Sequence, residues 1–236
     1  IKEASSLDDA RERLSLYRTM LYLNGITPFV LPFLTTHSVN AYSGINDRDH
    51  VSLREKLPEG MREGITSDTA TVEAWEHELS LRLKVFEQSA ELTSDIIRKA
   101  SWMAKQWAAL ERKHTELKSV RYALETAPRI EHIGSSLLHI WVGLESFFPN
   151  VRSEVSFRLA LLLAELCSSI KSAGEIYEVA KRSYTDRSNA AHGNLKHIGD
   201  AEWGEAWKLL CDCMLAVIQR NNLPDESGLI SSLLRK

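Results

Sequence analysis

Apolar positions recur every three or four residues over much of this chain, and that spacing predicts helices. Leu7, Ala10, Leu14, Tyr17 and Leu21 form one stripe; with Ser6 as a cap, Asp8 and Asp9 in the first turn and Gly25 as a stop, they predict a helix over 6–24. Residues 26–34 are apolar, but Pro28 and Pro32 exclude an ordinary helix or a central strand. From 35 to 69 the chain turns polar and carries Gly44, Pro58, Gly60 and Gly64, with room for a short helix over 47–56. An irregular connection of that length inside a compact domain points to a functional or partner-facing excursion. His37 and His50 lie in it without ligand spacing and read as surface residues. Helical periodicity resumes over 67–91 and again over 94–125, a basic segment that carries Trp102 and Trp107.

Past Pro128 the pattern sharpens. Ile130, Ile133, Leu137, Ile140, Trp141, Leu144 and Phe148 mark one helix, and Val155, Leu159, Leu162, Leu163, Leu166 and Ile170 the next. Ile176, Val179, Ala180 and Tyr184 mark a shorter third; Trp203, Trp207, Leu210, Met214 and Val217 mark a fourth. Short connections make such helices antiparallel neighbours. The predicted fold is all-α: a helical region over 1–127 with a long irregular loop, then an antiparallel four-helix bundle over 128–236, closed by a piece over 228–234. No run alternates long enough to read as a strand.

Composition changes this picture little. The chain has 236 residues, 44% hydrophobic and 26% charged, ordinary for a soluble globular protein. No apolar run approaches a bilayer span, and the polar opening lacks a signal pattern. A cytoplasmic protein with no membrane partner is the expectation. Cys167, Cys211 and Cys213 fit core packing in a reducing compartment better than a disulfide framework or zinc, and no metal or other cofactor is expected.

Charge adds more. The net charge of −3 conceals 11 acidic against 6 basic residues over 47–91, then 8 basic against 3 acidic over 98–129. Such a swing marks an electrostatic face for a polyanion, or two segments that pack together. Trp102 and Trp107 in the basic segment read as core, with base stacking as the alternative.

The densest chemistry lies in Tyr184-Thr-Asp-Arg187-Ser188-Asn189-Ala-Ala-His192-Gly193. Arg187 offers a planar fork of donors suited to phosphate, and His192 exchanges protons near neutral pH. Asp186 is expected to cap a short helix starting at Arg187, and Gly193 to end it. Ser188 and Asn189 share a face with His192, but Arg187, five positions away, lies about 140° around the axis. One regular helix does not aim both at one phosphate, so either the first turn is distorted or a second copy of the chain completes the site. Lys181, Arg182 and Lys196 make the surroundings basic and are candidate RNA contacts. His132 and His139 read as packing or surface residues.

An arginine, a polar residue, a short spacer and a histidine before the last helix of a four-helix bundle resemble the HEPN domain. Tyr184, Arg187-Ser188, His192-Gly193 and the upstream Trp141-Val-Gly-Leu-Glu145 are similar to its ApeA-like branch, over roughly 128–236. The resemblance implies a metal-independent endoribonuclease of a defence (anti-phage, abortive-infection) or toxin type, acting on RNA as a homodimer with a composite cleft. Arg187 and His192 would be its catalytic residues, with Ser188, Asn189, Tyr184 and Glu145 in support. It also implies an upstream sensor domain or regulatory partner as a possible activator. Asn194 stands where the adenylylation-regulated branch has a tyrosine, which counts against that branch. The alternatives are a non-catalytic HEPN-like nucleotide-binding or dimerisation module, and an all-α scaffold in which the motif is only a capped turn.

Overall fold

The structure, a computed structural model, describes residues 4–29, 33–35, 72–74 and 90–234. The chain divides into two compact units, Ile1–Pro28 with Ser80–Lys236, and Phe29–Leu79. In the larger unit every described element is a helix: α1 (Leu7–Leu23), α2 (Ser94–Lys113), α3 (Leu117–Thr126), a 3-10 turn (Ala127–Arg129), α4 (Ile133–Ser146), α5 (Val155–Cys167), α6 (Ala173–Ala191), α7 (Asp200–Arg220) and α8 (Glu226–Leu233). The all-α character holds for this unit. Among the described residues, no helix is long and apolar enough to cross a membrane.

The smaller unit contains an antiparallel pair, β1 (Phe33–Thr35) and β2 (Val72–Ala74), with Phe33 opposite Ala74. It corrects the expectation that residues 67–91 are helical throughout, since Val72–Ala74 is extended. Pairing with β1 satisfies backbone groups that helical periodicity alone assigns to a helix. The short helix over 47–56, His37 and His50 lie outside the described residues, as does most of the acidic segment.

Local chemistry explains most helix ends. Ser6 Oγ accepts from Asp9 N, Thr93 Oγ1 from Ile96 N and Asp225 Oδ1 from Gly228 N, each an N-cap bond. His132 takes the same role for α4, its Nδ1 accepting from Ser135 N at 3.1 Å. Two ends depart from the sequence pattern. The segment over 94–125 is two helices that break around His114, and the reason is tertiary. Arg121 Nε donates to Glu111 Oε1 at 2.6 Å. Ten residues of unbroken helix would set the two about 15 Å apart along the axis. The second departure is α6, which continues without a break to Ala191. The short motif helix capped by Asp186 is therefore corrected: Asp186 and Arg187 lie inside α6, where no glycine or proline interrupts the hydrogen-bond ladder.

α4 packs against α3, α6 and α7; α5 packs against α6, α7 and α8; and α6 packs against α7. Gly143 makes the close approach of α4 possible, since a Cβ there would lie 2.7 Å from Ala123 Cβ. Four tryptophans fill the interior, each with its indole N–H paired. Trp107 donates to Glu111, Trp141 to Ser183 Oγ, Trp203 to Ser136 Oγ and Trp207 to the Leu124 carbonyl. The last bond runs from α7 to α3, across Pro128.

Between α1, α2 and α3 lies a network of inward-turned charges. Arg18 Nη2 meets Glu125 Oε1 at 2.6 Å, with side chains only 1% and 5% exposed. Arg129 reaches the same carboxylate at 3.3 Å. Arg121 bonds Glu111 and Ser15 Oγ and pairs with Glu12. Burial disfavours the charged Arg121 guanidinium, but the Glu111 hydrogen bond and the charges of Glu111, Glu12 and Glu125 outweigh it, so its pKa rises. Glu111 and Glu125 are two of the three acids in the basic segment. Being used inside, they leave Lys99, Lys105, Arg112 and Lys113 of α2 without an ion pair among the described residues.

Two of the three cysteines pack in the core as expected, and Cys211 is half-buried. Cys167 and Cys213 are buried with sulfurs 3.5 Å apart, and burial pushes the Cys213 thiol well up.

Candidate active site

The last turns of α6 carry Tyr184, Arg187, Ser188 and Asn189, and His192 is the C-cap residue. Gly193 closes the helix with φ of +74°, in the left-handed region that suits glycine. The His192 backbone N–H donates to the Asn189 carbonyl at 3.1 Å, and Asn194 N donates to the same carbonyl at 2.9 Å. The main chain thus fixes this end. The side chains of Ser188 and Asn189 make no hydrogen bond to His192, and the His192 ring is exposed.

Arg187 is held by two elements. Its guanidinium lies 5.5 Å from the centroid of the Tyr184 ring, and Tyr184 meets Trp141 of α4 edge to face at 5.0 Å. Trp141 is locked in turn by its bond to Ser183, 3.0 Å. Glu145, one turn further along α4, sets Oε1 3.1 Å from Arg187 Nη2, with both side chains about one-third exposed (33% and 30%). The distance is that of an ion pair, but the alignment is not that of a hydrogen bond. Glu145 Oε1 and Arg187 Nε are both buried atoms without a hydrogen-bond partner. Glu145 and Arg187 thus meet in an electrostatic contact with unused hydrogen-bonding capacity on both sides.

The structure brings Arg187, Tyr184 and Glu145 together and does not bring His192 to them by a described contact. With α6 regular, about 140° of helical rotation and about 7.5 Å of rise separate the two.

The basic surroundings change in three dimensions. Lys181 lies over the Tyr177 ring, 5.9 Å from its centroid, and Lys196 is exposed. Arg182 pairs with Glu205 of α7 at 3.4 Å. An open groove of about 450 Å³ lies between α6 and the start of α7, lined by Arg182, Asp186, His197, Glu202 and Glu205 among others. Burial raises the Asp186 pKa, Glu202 and Glu205 reinforce the rise, and Arg182 opposes it. The positive turn is therefore flanked by two acids from α7, Glu202 and Glu205. Among the described residues no group of three or more His, Cys, Asp or Glu side chains can hold a metal ion.

His132 caps α4, and His139 is half-buried with Nε2 2.6 Å from Thr126 Oγ1. Both are structural. No protein-family model, curated protein or solved structure matches this chain.

Proposed function

We propose that the protein is an endoribonuclease of the HEPN kind, with α4 to α7 as its four-helix bundle and a cleft completed by a second copy of the chain. The observation that carries this reading is the placement of Arg187 and His192. One is braced over Tyr184 beside Glu145, and the other is free at the end of the same helix. A two-fold related copy can set its His192 opposite Arg187, which a single regular α6 does not do. RNA supplies its own nucleophile, the 2′-hydroxyl. As that oxygen bonds to phosphorus its proton passes to a base, the bond to the 5′-oxygen breaks, and an acid protonates the leaving oxygen. His192 serves proton transfer and Arg187 stabilises the charge on the phosphate, leaving a cyclic phosphate and a 5′-hydroxyl. Lys181 and Lys196 support RNA binding, and Arg182 does so when freed from Glu205. Anti-phage defence or a toxin role follows from the same resemblance.

Labelled RNA incubated with the purified chain in chelator tests the reading. Cleavage that persists in chelator and disappears in both Arg187→Ala and His192→Ala is the expected result. A folded wild type that cuts no RNA, even with candidate activators added, rejects it. One observation favours the non-catalytic alternative: Glu145 already sits against the Arg187 guanidinium, as in a module where the pair only shapes a dimer or nucleotide surface. An intact dimer without cleavage would select that alternative.

A further inference from the structure

Trp102 and Trp107 sit five apart on α2 and have opposite fates. Trp107 is 0% exposed and belongs to the core, whereas Trp102 is 53% exposed. Among the described residues its indole makes no ring stack, cation–π contact or hydrogen bond. At 100° per residue, the surface neighbours of a helical side chain are the positions three and four away on either side. For Trp102 these are Arg98, Lys99, Lys105 and Gln106. An open aromatic face is thus framed by three cations and an amide. Arg112 and Lys113 extend the same exposed side into the last turn.

Burial elsewhere sharpens the charge. Of the three acids between 98 and 129, Glu111 and Glu125 are turned inward onto arginines. Glu116 faces His114 at 3.6 Å. On α2 itself Asp95 pairs with Arg98, while Lys99, Lys105, Arg112 and Lys113 form no ion pair among the described residues. The face is a cationic track of about 20 Å, at 1.5 Å per residue, with one aromatic platform in it.

We infer that this face of α2 binds single-stranded nucleic acid, with Trp102 stacking on a base and the flanking cations on phosphates. Lysines and an arginine match the repeating charge of a polyanion, and an exposed indole offers the sequence-tolerant stack that unpaired bases take. A duplex keeps its bases stacked on each other and has none to offer. A membrane surface fits less well. The other exposed apolar side chain on α2, Ile97, is five positions from Trp102 and about 140° around the helix, so the two make no common apolar face. The inference does not depend on the Arg187 and His192 reading, since binding here requires no cleavage.

The test uses the full chain carrying Arg187→Ala and His192→Ala in every arm, so that no cleavage interferes. Fluorescence anisotropy is measured with labelled oligouridine, oligothymidine and a blunt duplex, and co-sedimentation with phosphatidylserine vesicles. Trp102→Ala is expected to weaken single-strand binding about 5- to 100-fold, the range for losing one stacked base, and to leave duplex binding unchanged. Trp102→Phe retains most of the affinity. Lys99→Ala with Lys105→Ala reduces the logarithmic salt slope by about 1.4, two single-strand phosphate contacts. Loss on oligouridine alone narrows the ligand to RNA; loss on both oligonucleotides supports either strand. A Trp102→Ala protein that keeps its helical circular dichroism and binds both single strands like its parent overturns the inference. So does a loss confined to the vesicles.

Discussion

The guanidinium of Arg187 rests 5.5 Å from the centre of the Tyr184 ring, one turn earlier on α6. That ring is fixed edge-on by Trp141, and Trp141 by Ser183. The charge at the end of α6 is thus oriented by a relay that begins in the core. Glu145 neutralises it in part without using the hydrogen-bonding capacity of either group. A phosphate oxygen can take up that capacity on Arg187.

Complementation tests the proposed shared cleft. Arg187→Ala and His192→Ala proteins, each inactive alone, are expected to recover about one quarter of wild-type cleavage when mixed in equal amounts and allowed to exchange. Half of randomly paired two-fold dimers are mixed, and each of those has one intact site of two. Recovery is read by RNA cleavage after mixing. A mixture that stays inactive despite verified subunit exchange argues that each chain carries its own complete site.

The Arg187 and Glu145 pair makes a stability prediction. Both groups are about one-third exposed, so the pair is expected to contribute only about 1 kcal/mol or less. Arg187→Ala leaves the buried Glu145 oxygen without its cation, and adding Glu145→Gln in the same chain is expected to restore part of the loss. Urea unfolding midpoints of the two single variants and the double variant check this. Strict additivity would show the pair to be uncoupled.

Gly143 tests the packing of α4. A methyl group there meets Ala123 Cβ at 2.7 Å, so Gly143→Ala is expected to destabilise the fold by about 1–3 kcal/mol despite alanine's better helix propensity. Thermal unfolding reads the effect. A rise in melting temperature would mean that α3 and α4 separate without cost.

His139 gives a pH dependence of stability. Burial lowers its pKa, and a hydrogen bond to the Tyr122 backbone opposes this in part. Below about pH 6.5 the unfolded chain takes up the proton before the folded one does. Stability from this group is therefore full above that pH and falls as pH drops through 6.5 toward the lower folded pKa. Between pH 7 and pH 5, His139→Gln is expected to lose less stability than wild type, measured by denaturant titration at each pH. Equal losses would remove His139 as a source of the slope.

Much of the helical pattern was readable because its signals are local. Ser6 and the stripe from Ala10 to Leu21 needed nothing outside their own helix. The break at His114 was not readable, because its cause is Arg121 folding back onto Glu111, a contact between side chains ten residues apart. Asp186 misled in the opposite way: its cap propensity is real, but an uninterrupted α6 overrides it. Of the candidate site, Arg187, Tyr184 and Glu145 converge, yet the acids that flank Arg182 and Asp186 come from α7 and belong to no local motif. The separation of Trp102 from Trp107 was available in principle. Trp107 is in phase with Met103 and Leu110, and Trp102 with Arg98 and Lys105.

Gly25, just past α1, and Ala90, ahead of α2, are joined by a backbone hydrogen bond of 2.9 Å, Ala90 N to Gly25 O. A short glycine–serine bridge from Gly25 to Ala90 can therefore span the gap at little entropic cost. A chain so shortened is expected to keep α1 against α2 and the site on α6. A single backbone hydrogen bond thus marks where the helical unit can be joined to itself.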